Sequence, residues 1–168
     1  MSLKKIRRSI EAQNNKDINQ ATAIFDSVRN KLSKPHHLHA CALAYLQSGR
    51  SLDAQKVLSK LLAKVQPTPQ LLSLSGDINK SNGDLNSSIV DYQRACKLSP
   101  SSPELYYNLA LVLFENKELS KTREVLNKAL LIRPAYTKAS VLMGRCLAAM
   151  DLCNDCLLYT SPSPRDAT

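Results

Sequence analysis

Hydrophobic and small residues recur along this chain with a fixed period of 34 positions. The small residues Ala42, Gly76, Ala110 and Gly144 form one such series. Further series with the same spacing are Leu38, Leu72 and Tyr106; Leu58, Tyr92 and Leu126; Leu61, Ala95 and Ala129; Pro35, Pro69 and Pro103; and Gly49 and Gly83. Because independent series agree on one period, the pattern predicts a chain built from repeated structural units.

Each unit contains two segments with helical spacing. The apolar residues of the first segment are Leu38, Cys41, Ala42 and Tyr45, at i, i+3, i+4 and i+7, and those of the second are Ala54, Leu58 and Leu61. This spacing places apolar side chains on one face of an α-helix. Each unit is therefore predicted to be a pair of amphipathic helices.

Proline, hydroxyl and glycine positions predict where these helices begin and end. Thr68 and Ser102 precede a proline, and such a pair supplies a capping hydroxyl followed by a residue that needs no N–H donor. Gly49 and Gly83 follow the first helix of a unit, where a left-handed conformation is favoured.

These residues resemble the tetratricopeptide repeat, a 34-residue helix–turn–helix unit. The resemblance implies an all-α fold, a right-handed superhelix of antiparallel helix pairs. It predicts three full units at 35–68, 69–102 and 103–136, after a degenerate N-terminal helix pair over 1–34 whose second helix contains Phe25. Residues 137–150 are predicted to form the first helix of a truncated further repeat, and residues 151–168 an irregular tail.

The middle unit departs from the family pattern. Ser75 and Asn79 occupy positions where Leu and an aromatic residue are usual. We expect Leu71, Leu74 and Ile78 to compensate through a slight rotation of the helix.

The tail from residue 156 is not expected to be native sequence. Residues 156–166 resemble one translated frame of a transposase adapter used in preparing sequencing libraries. On that interpretation the pair Cys153 and Cys156 is not a redox or metal motif, since its second cysteine is technical sequence. Inspection of the codons after Asp155 tests this expectation.

Composition favours a globular binding protein without catalytic machinery. The chain has 168 residues, 43% hydrophobic, a formal net charge of +9 and four glycines, and lacks a phosphate-binding glycine motif. Its three histidines, His36, His37 and His39, point in different directions around a helix, so no metal site or other cofactor is expected. Its five cysteines are mostly scattered, which indicates reduced thiols and a cytoplasmic location.

The function expected of such an array is that of a protein-interaction scaffold, not an enzyme. A peptide or partner protein is expected to bind in a concave groove lined by the first helices. The predicted groove residues are His39, Leu43, Gln47, Ser73, Asp77, Tyr107, Asn108, Leu111, Phe114, Lys138 and Arg145, with Leu142 beside them. Self-association is also expected, through Leu142, Met143, Leu147 and Met150 on the unpaired last helix.

Two alternatives remain open at the level of sequence. The repeats could be the N-terminal region of a truncated multidomain enzyme of transferase or hydroxylase type. The basic residues Lys4, Lys5, Arg7 and Arg8 could instead contact RNA or an anionic surface. This last interpretation is weakened by the absence of Trp and of a recognised RNA-binding motif.

Overall fold

The computed structural model describes the backbone of residues 18–28 and 34–160 and the side chains of residues 22–27 and 34–151. Helices are the regular elements of these ranges, and no strand occurs in them. The helices are α1 Ile18–Val28, α2 Pro35–Gln47, α3 Ser51–Leu62, α4 Pro69–Ser81, α5 Leu85–Leu98, α6 Pro103–Glu115, α7 Leu119–Ile132 and α8 Thr137–Thr160. The all-α fold of helix pairs is confirmed. None of the described helices is both long enough and apolar enough to cross a membrane.

The helices form two compact units that divide between Ser99 and Pro100. In the first unit α2 packs on α3 and α4 packs on α5, and α2 also contacts α1 and α4. Its core contains Phe25 of α1, Leu38 and Tyr45 of α2, Leu61 of α3 and Ile78 of α4. The predicted second helix of the N-terminal pair is thus present as α1, whereas the first helix of that pair and the basic residues at 4–8 lie outside the described residues.

The second unit consists of α6, α7 and α8, in which α7 packs on both neighbours and α8 also contacts α6. Its core includes Ala110, Leu126, Ala129, Ala139 and Leu142. Leu142 is only 2% exposed, so its predicted place in the groove and on an uncovered face is wrong. The reason is that Ala139, Leu142 and Cys146 form the buried stripe of α8.

The helices begin and the turns lie where the sequence predicts them, with two local differences. Helices α2, α4 and α6 begin at prolines, and Thr68 Oγ1 accepts a hydrogen bond from the N–H of Leu71 at 3.3 Å. Ser102 does not cap its helix, because its hydroxyl instead donates to Glu104 Oε2 at 3.2 Å. Gly49 and Gly83 have φ of 77° and 84°, and Lys117, one further period along, adopts the same conformation at 64°.

The middle pair accommodates its polar residues through one carboxylate. The hydroxyl of Ser75 and the amide of Asn79 both donate to Asp91 Oδ2, at 2.6 Å and 2.9 Å. Leu71, Leu74 and Ile78 of the same helix are buried. The carboxylate of α5 thus replaces the apolar contact usual at this point of the repeat.

The last helix is longer than predicted. Residues 151–160, expected to be irregular, continue α8 to Thr160. No glycine or proline lies between Gly144 and Pro162, and a helix usually ends before the residue that precedes a proline. The remainder of the adapter-like segment, from residue 161, lies outside the described residues, and the side chains of Cys153 and Cys156 do so as well.

Candidate functional site

A row of large apolar side chains lies half-exposed along α6. Tyr107, Leu111 and Phe114 are spaced at i, i+4 and i+7, so they share one helix face. On the opposite side of the helix, Leu109 and Leu113 are buried. We call Tyr107, Leu111 and Phe114 the aromatic row. The base of the row packs on the core of the second unit, which holds the rings in place while part of each remains accessible.

A cation of α8 contacts one end of the row. The guanidinium carbon of Arg145 lies 5.3 Å from the centre of the Phe114 ring, within the range of a cation–π contact. Lys138, seven residues earlier on α8, is exposed, and Asn108 of α6 is half-buried. The structure therefore brings the predicted residues Phe114 and Arg145 into contact across α6 and α8.

Two residues that were not predicted extend this surface. The ring of Tyr136 lies 5.4 Å from that of Tyr107, and Arg133 lies 5.2 Å from the Tyr136 ring centre. Arg133 also forms a 2.6 Å ion pair with Glu104. One feature of the sequence could have pointed to Tyr136. It departs from the repeat, since the earlier units carry Thr68 and Ser102 at the same position.

The predicted residues of the first unit form a more polar and less open surface. On α2, His39 and Leu43 are half-buried and Gln47 is exposed. Leu43 packs against the core, so only part of its side chain is available. Ser73 and Asp77 of the neighbouring helix α4 are half-buried.

Asp77 is engaged within its own helix pair. The Tyr92 hydroxyl donates a 2.5 Å hydrogen bond to Asp77 Oδ1. Burial raises the pKa of Asp77, although the hydrogen bond from Tyr92 and the charge of Lys80 act in the opposite direction. Asp77 therefore joins α4 to α5, a role that the sequence did not predict.

His36 and His37 pack against each other at the start of α2. Burial lowers the pKa of His37 and that of His39, and the nearby His36 and Lys34 lower that of His37 further. The rings of His36 and His37 meet edge to face, with centres 4.0 Å apart. Among the residues that the structure describes, no group of three His, Cys, Asp or Glu side chains is placed to hold a metal ion.

A second unpredicted cluster joins α1 to the following pair. Arg50 donates to Asp26 at 2.6 Å and to Asp53 at 2.7 Å, and its guanidinium lies 4.6 Å from the Tyr45 ring centre. The Tyr45 hydroxyl also donates to Asp26, at 2.6 Å. The Arg50 guanidinium, the two carboxylates and the Tyr45 hydroxyl thus pair with one another, so we assign the cluster a structural role.

The repeated helix pairs and their closely packed small residues define an α-helical repeat protein. Residues 76–117 match the family described as TPR repeat, and residues 103–136 match the family described as tetratricopeptide repeat. Residues 76–136 thus match tetratricopeptide repeats, and the resemblance inferred from the sequence is confirmed over this range.

Solved structures with the same fold include MamA, which is 20% identical with a TM-score of 0.75 over 95% of this chain and 91% of that chain. A chain of the Cut9–Hcn1 hetero-tetramer of the APC/C is 18% identical, with a TM-score of 0.74 over 86% of this chain and 30% of the other. PilF of Pseudomonas aeruginosa is 17% identical, with a TM-score of 0.73 over 88% of this chain and 68% of its own. Such identities establish similarity of fold alone. The curated proteins compared with the chain contain no match.

Proposed function

We propose that the protein is an interaction scaffold that binds a peptide or a partner protein through the aromatic row of the second unit. The partial exposure of Tyr107, Leu111 and Phe114 in one line is the observation that supports this proposal. Aromatic side chains in such positions bury a large area at low conformational cost, and they are enriched in protein interfaces.

The charges beside the row indicate the chemistry of the partner. Lys138 and Arg145 are exposed on α8. Arg145 already lies against Phe114, so a carboxylate approaching the ring would also meet a cation. A segment with two apolar anchors and a neighbouring Asp or Glu fits this arrangement best.

It remains a prediction that the residues named for the groove in the first unit form a further contact surface. His39, Gln47 and Ser73 offer mainly polar groups, whereas Leu43 is partly taken up by the core. Asp77, hydrogen-bonded to Tyr92, contributes less to binding than its position suggested.

Selection from a random peptide library, followed by affinity measurement by fluorescence anisotropy, tests the proposal. Enriched peptides should carry apolar and acidic residues, and Phe114→Ala or Tyr107→Ala should weaken binding by about tenfold or more. Leu131→Ala is the matched control, because Leu131 is 85% exposed on α7. Failure to enrich any peptide, or equal affinities for Phe114→Ala and the unaltered protein, would contradict the proposal.

A further inference from the structure

An open pocket lies in the first unit, where the segment preceding α4 meets the C-terminal end of α5. Its lining residues are Pro67, Leu72, Arg94, Lys97 and Leu98, and we call it the α4–α5 pocket. Its volume is about 310 Å³, at the lower end of the range of about 300–1,000 Å³ that is typical of small-molecule sites. The size of the pocket therefore suits a small organic molecule.

The pocket combines an apolar interior with two cations. Leu72 is 3% exposed and forms the floor, whereas Leu98 is 56% exposed and forms part of the wall at the mouth. Arg94 and Lys97 lie three residues apart on α5, a spacing that places their side chains on the same face of the helix. An apolar group in the pocket would therefore lie next to two positive charges.

Both cations keep hydrogen-bond donors for a ligand. Arg94 lies 3.9 Å from Asp91 Oδ1, at the limit of an ion pair, and its side chain is 54% exposed. The other oxygen of Asp91 accepts the hydrogen bonds from Ser75 and Asn79, which hold the carboxylate toward α4. Lys97 forms no ion pair with any residue in the part of the chain that the structure describes.

The neighbouring helix pairs do not repeat this combination of side chains. One period earlier Lys64 stands in place of Leu98, and one period later Leu131 stands in place of Lys97. The first replacement removes the apolar wall, and the second removes one of the two cations. The combination is therefore particular to the middle pair and does not follow from the repeat itself.

We propose that the α4–α5 pocket binds a small monocarboxylic acid with an aliphatic or aromatic body. The body would pack against Leu72 and Leu98, and the carboxylate would accept hydrogen bonds from Arg94 and Lys97. Charge selects an anion, because none of the lining side chains is a carboxylate, and the volume selects a small one. Since the mouth of the pocket is open to water, a modest Kd of about 0.1–1 mM is expected. This site belongs to the first unit, whereas the aromatic row belongs to the second.

Titration of the isotope-labelled full chain with phenylbutyrate, followed by NMR, tests the proposal. The backbone amide signals of residues 70–72 and 94–98 should shift and reach saturation. Phenylbutyramide, which has the same apolar body without the charge, should bind about tenfold more weakly, and acetate, which lacks the body, should not saturate the site. Equal affinities for the acid and the amide, or shifts confined to the aromatic row, would overturn the proposal.

Matched variants separate the pocket from the general positive charge of the protein. The double change Arg94→Gln and Lys97→Gln should raise the Kd for phenylbutyrate about tenfold or more. Lys60→Gln with Lys128→Gln removes the same net charge at the exposed positions that correspond to Arg94 in the neighbouring pairs, and should leave the Kd unchanged. Circular dichroism verifies the fold of each variant. An equal loss of affinity in the two double variants would show that only the net charge matters.

A peptide that ends in an apolar residue is the competing ligand, because its terminal residue also joins an apolar side chain to a carboxylate. The peptide is titrated with a free and with an amidated C-terminus. If the free peptide shifts the signals of residues 70–72 and 94–98 while phenylbutyrate fails to bind up to its solubility limit, the small-molecule proposal is overturned in favour of a peptide terminus.

Discussion

The ring of Tyr92 lies so close to Gly76 that no side chain fits between α4 and α5 at this point: an added Cβ would lie 2.7 Å from Cε2 of the ring. The ring cannot retreat easily, because its hydroxyl is bound to Asp77. Packing therefore explains the small residue here, and Gly144 in the same repeat position provides a comparison without that contact.

Gly76→Ala should lower the free energy of unfolding by about 1–3 kcal/mol through overpacking. Gly144→Ala should raise it by up to about 1 kcal/mol, because alanine favours helix and the added methyl group meets open space. Urea denaturation at low protein concentration measures both changes. Effects of the same sign at the two glycines would contradict this account of the packing.

The turn after α6 carries a lysine where the earlier units have glycine. Lys117 has φ of 64°, a conformation that costs a side-chain-bearing residue about 1 kcal/mol or more. Lys117→Gly should therefore stabilise the protein by about 0.5–1 kcal/mol, and Gly83→Lys should destabilise it by a similar amount. Thermal and urea unfolding of the two variants provide the measurement. A loss of stability in Lys117→Gly would show that the lysine side chain makes a compensating contact.

The two hydrogen bonds on Asp91 should couple α4 to α5 energetically. A double-mutant cycle with Ser75→Ala and Asp91→Ala is expected to give a coupling energy of about 0.5–3 kcal/mol, because each single change removes a hydrogen bond from a partly buried polar group. Arg94→Ala is the control, since Arg94 lies 3.9 Å from Asp91 with a side chain 54% exposed. That exposed ion pair should contribute less than about 1 kcal/mol. Additive effects of the first two changes would rule out the coupling.

Asp77 should make stability depend on pH. Its pKa is raised in the folded protein, chiefly by burial, so the folded state holds the proton more tightly than the unfolded chain. The resulting stabilisation is complete below the unfolded pKa of about 3.9 and is lost as the pH rises through the folded pKa. Asp77→Asn, which still presents an oxygen to Tyr92, should lack this contribution to the pH dependence. Unfolding curves of both proteins from neutral to acidic pH measure it, and parallel pH profiles would refute the assignment.

Helical elements followed from the sequence because their determinants are local. A proline at the first helical position, glycine in a left-handed turn and apolar residues at 3.6-residue spacing act within one or two turns of chain. The aromatic row was predicted for the same reason, since Tyr107, Leu111 and Phe114 share one helix face. The sequence did not predict the extension of α8 beyond residue 150, because residues 151–160 do not follow the repeat pattern. These residues contain no glycine or proline that would end the helix.

The sequence by itself thus determined the repeat, the helix starts and the apolar side of each helix, because backbone geometry and side-chain spacing act locally. Only the tertiary structure decided which polar groups meet. Asp91 receives two donors from the preceding helix, Tyr136 reaches Tyr107, and Asp77 is bound by Tyr92. These contacts depend on the distance and rotation of packed helices, which the 34-residue period leaves free. Packing also buried Leu142 and left Leu147 exposed, since the face that α8 turns to α7 is decided by the fit of its small residues against the neighbouring core.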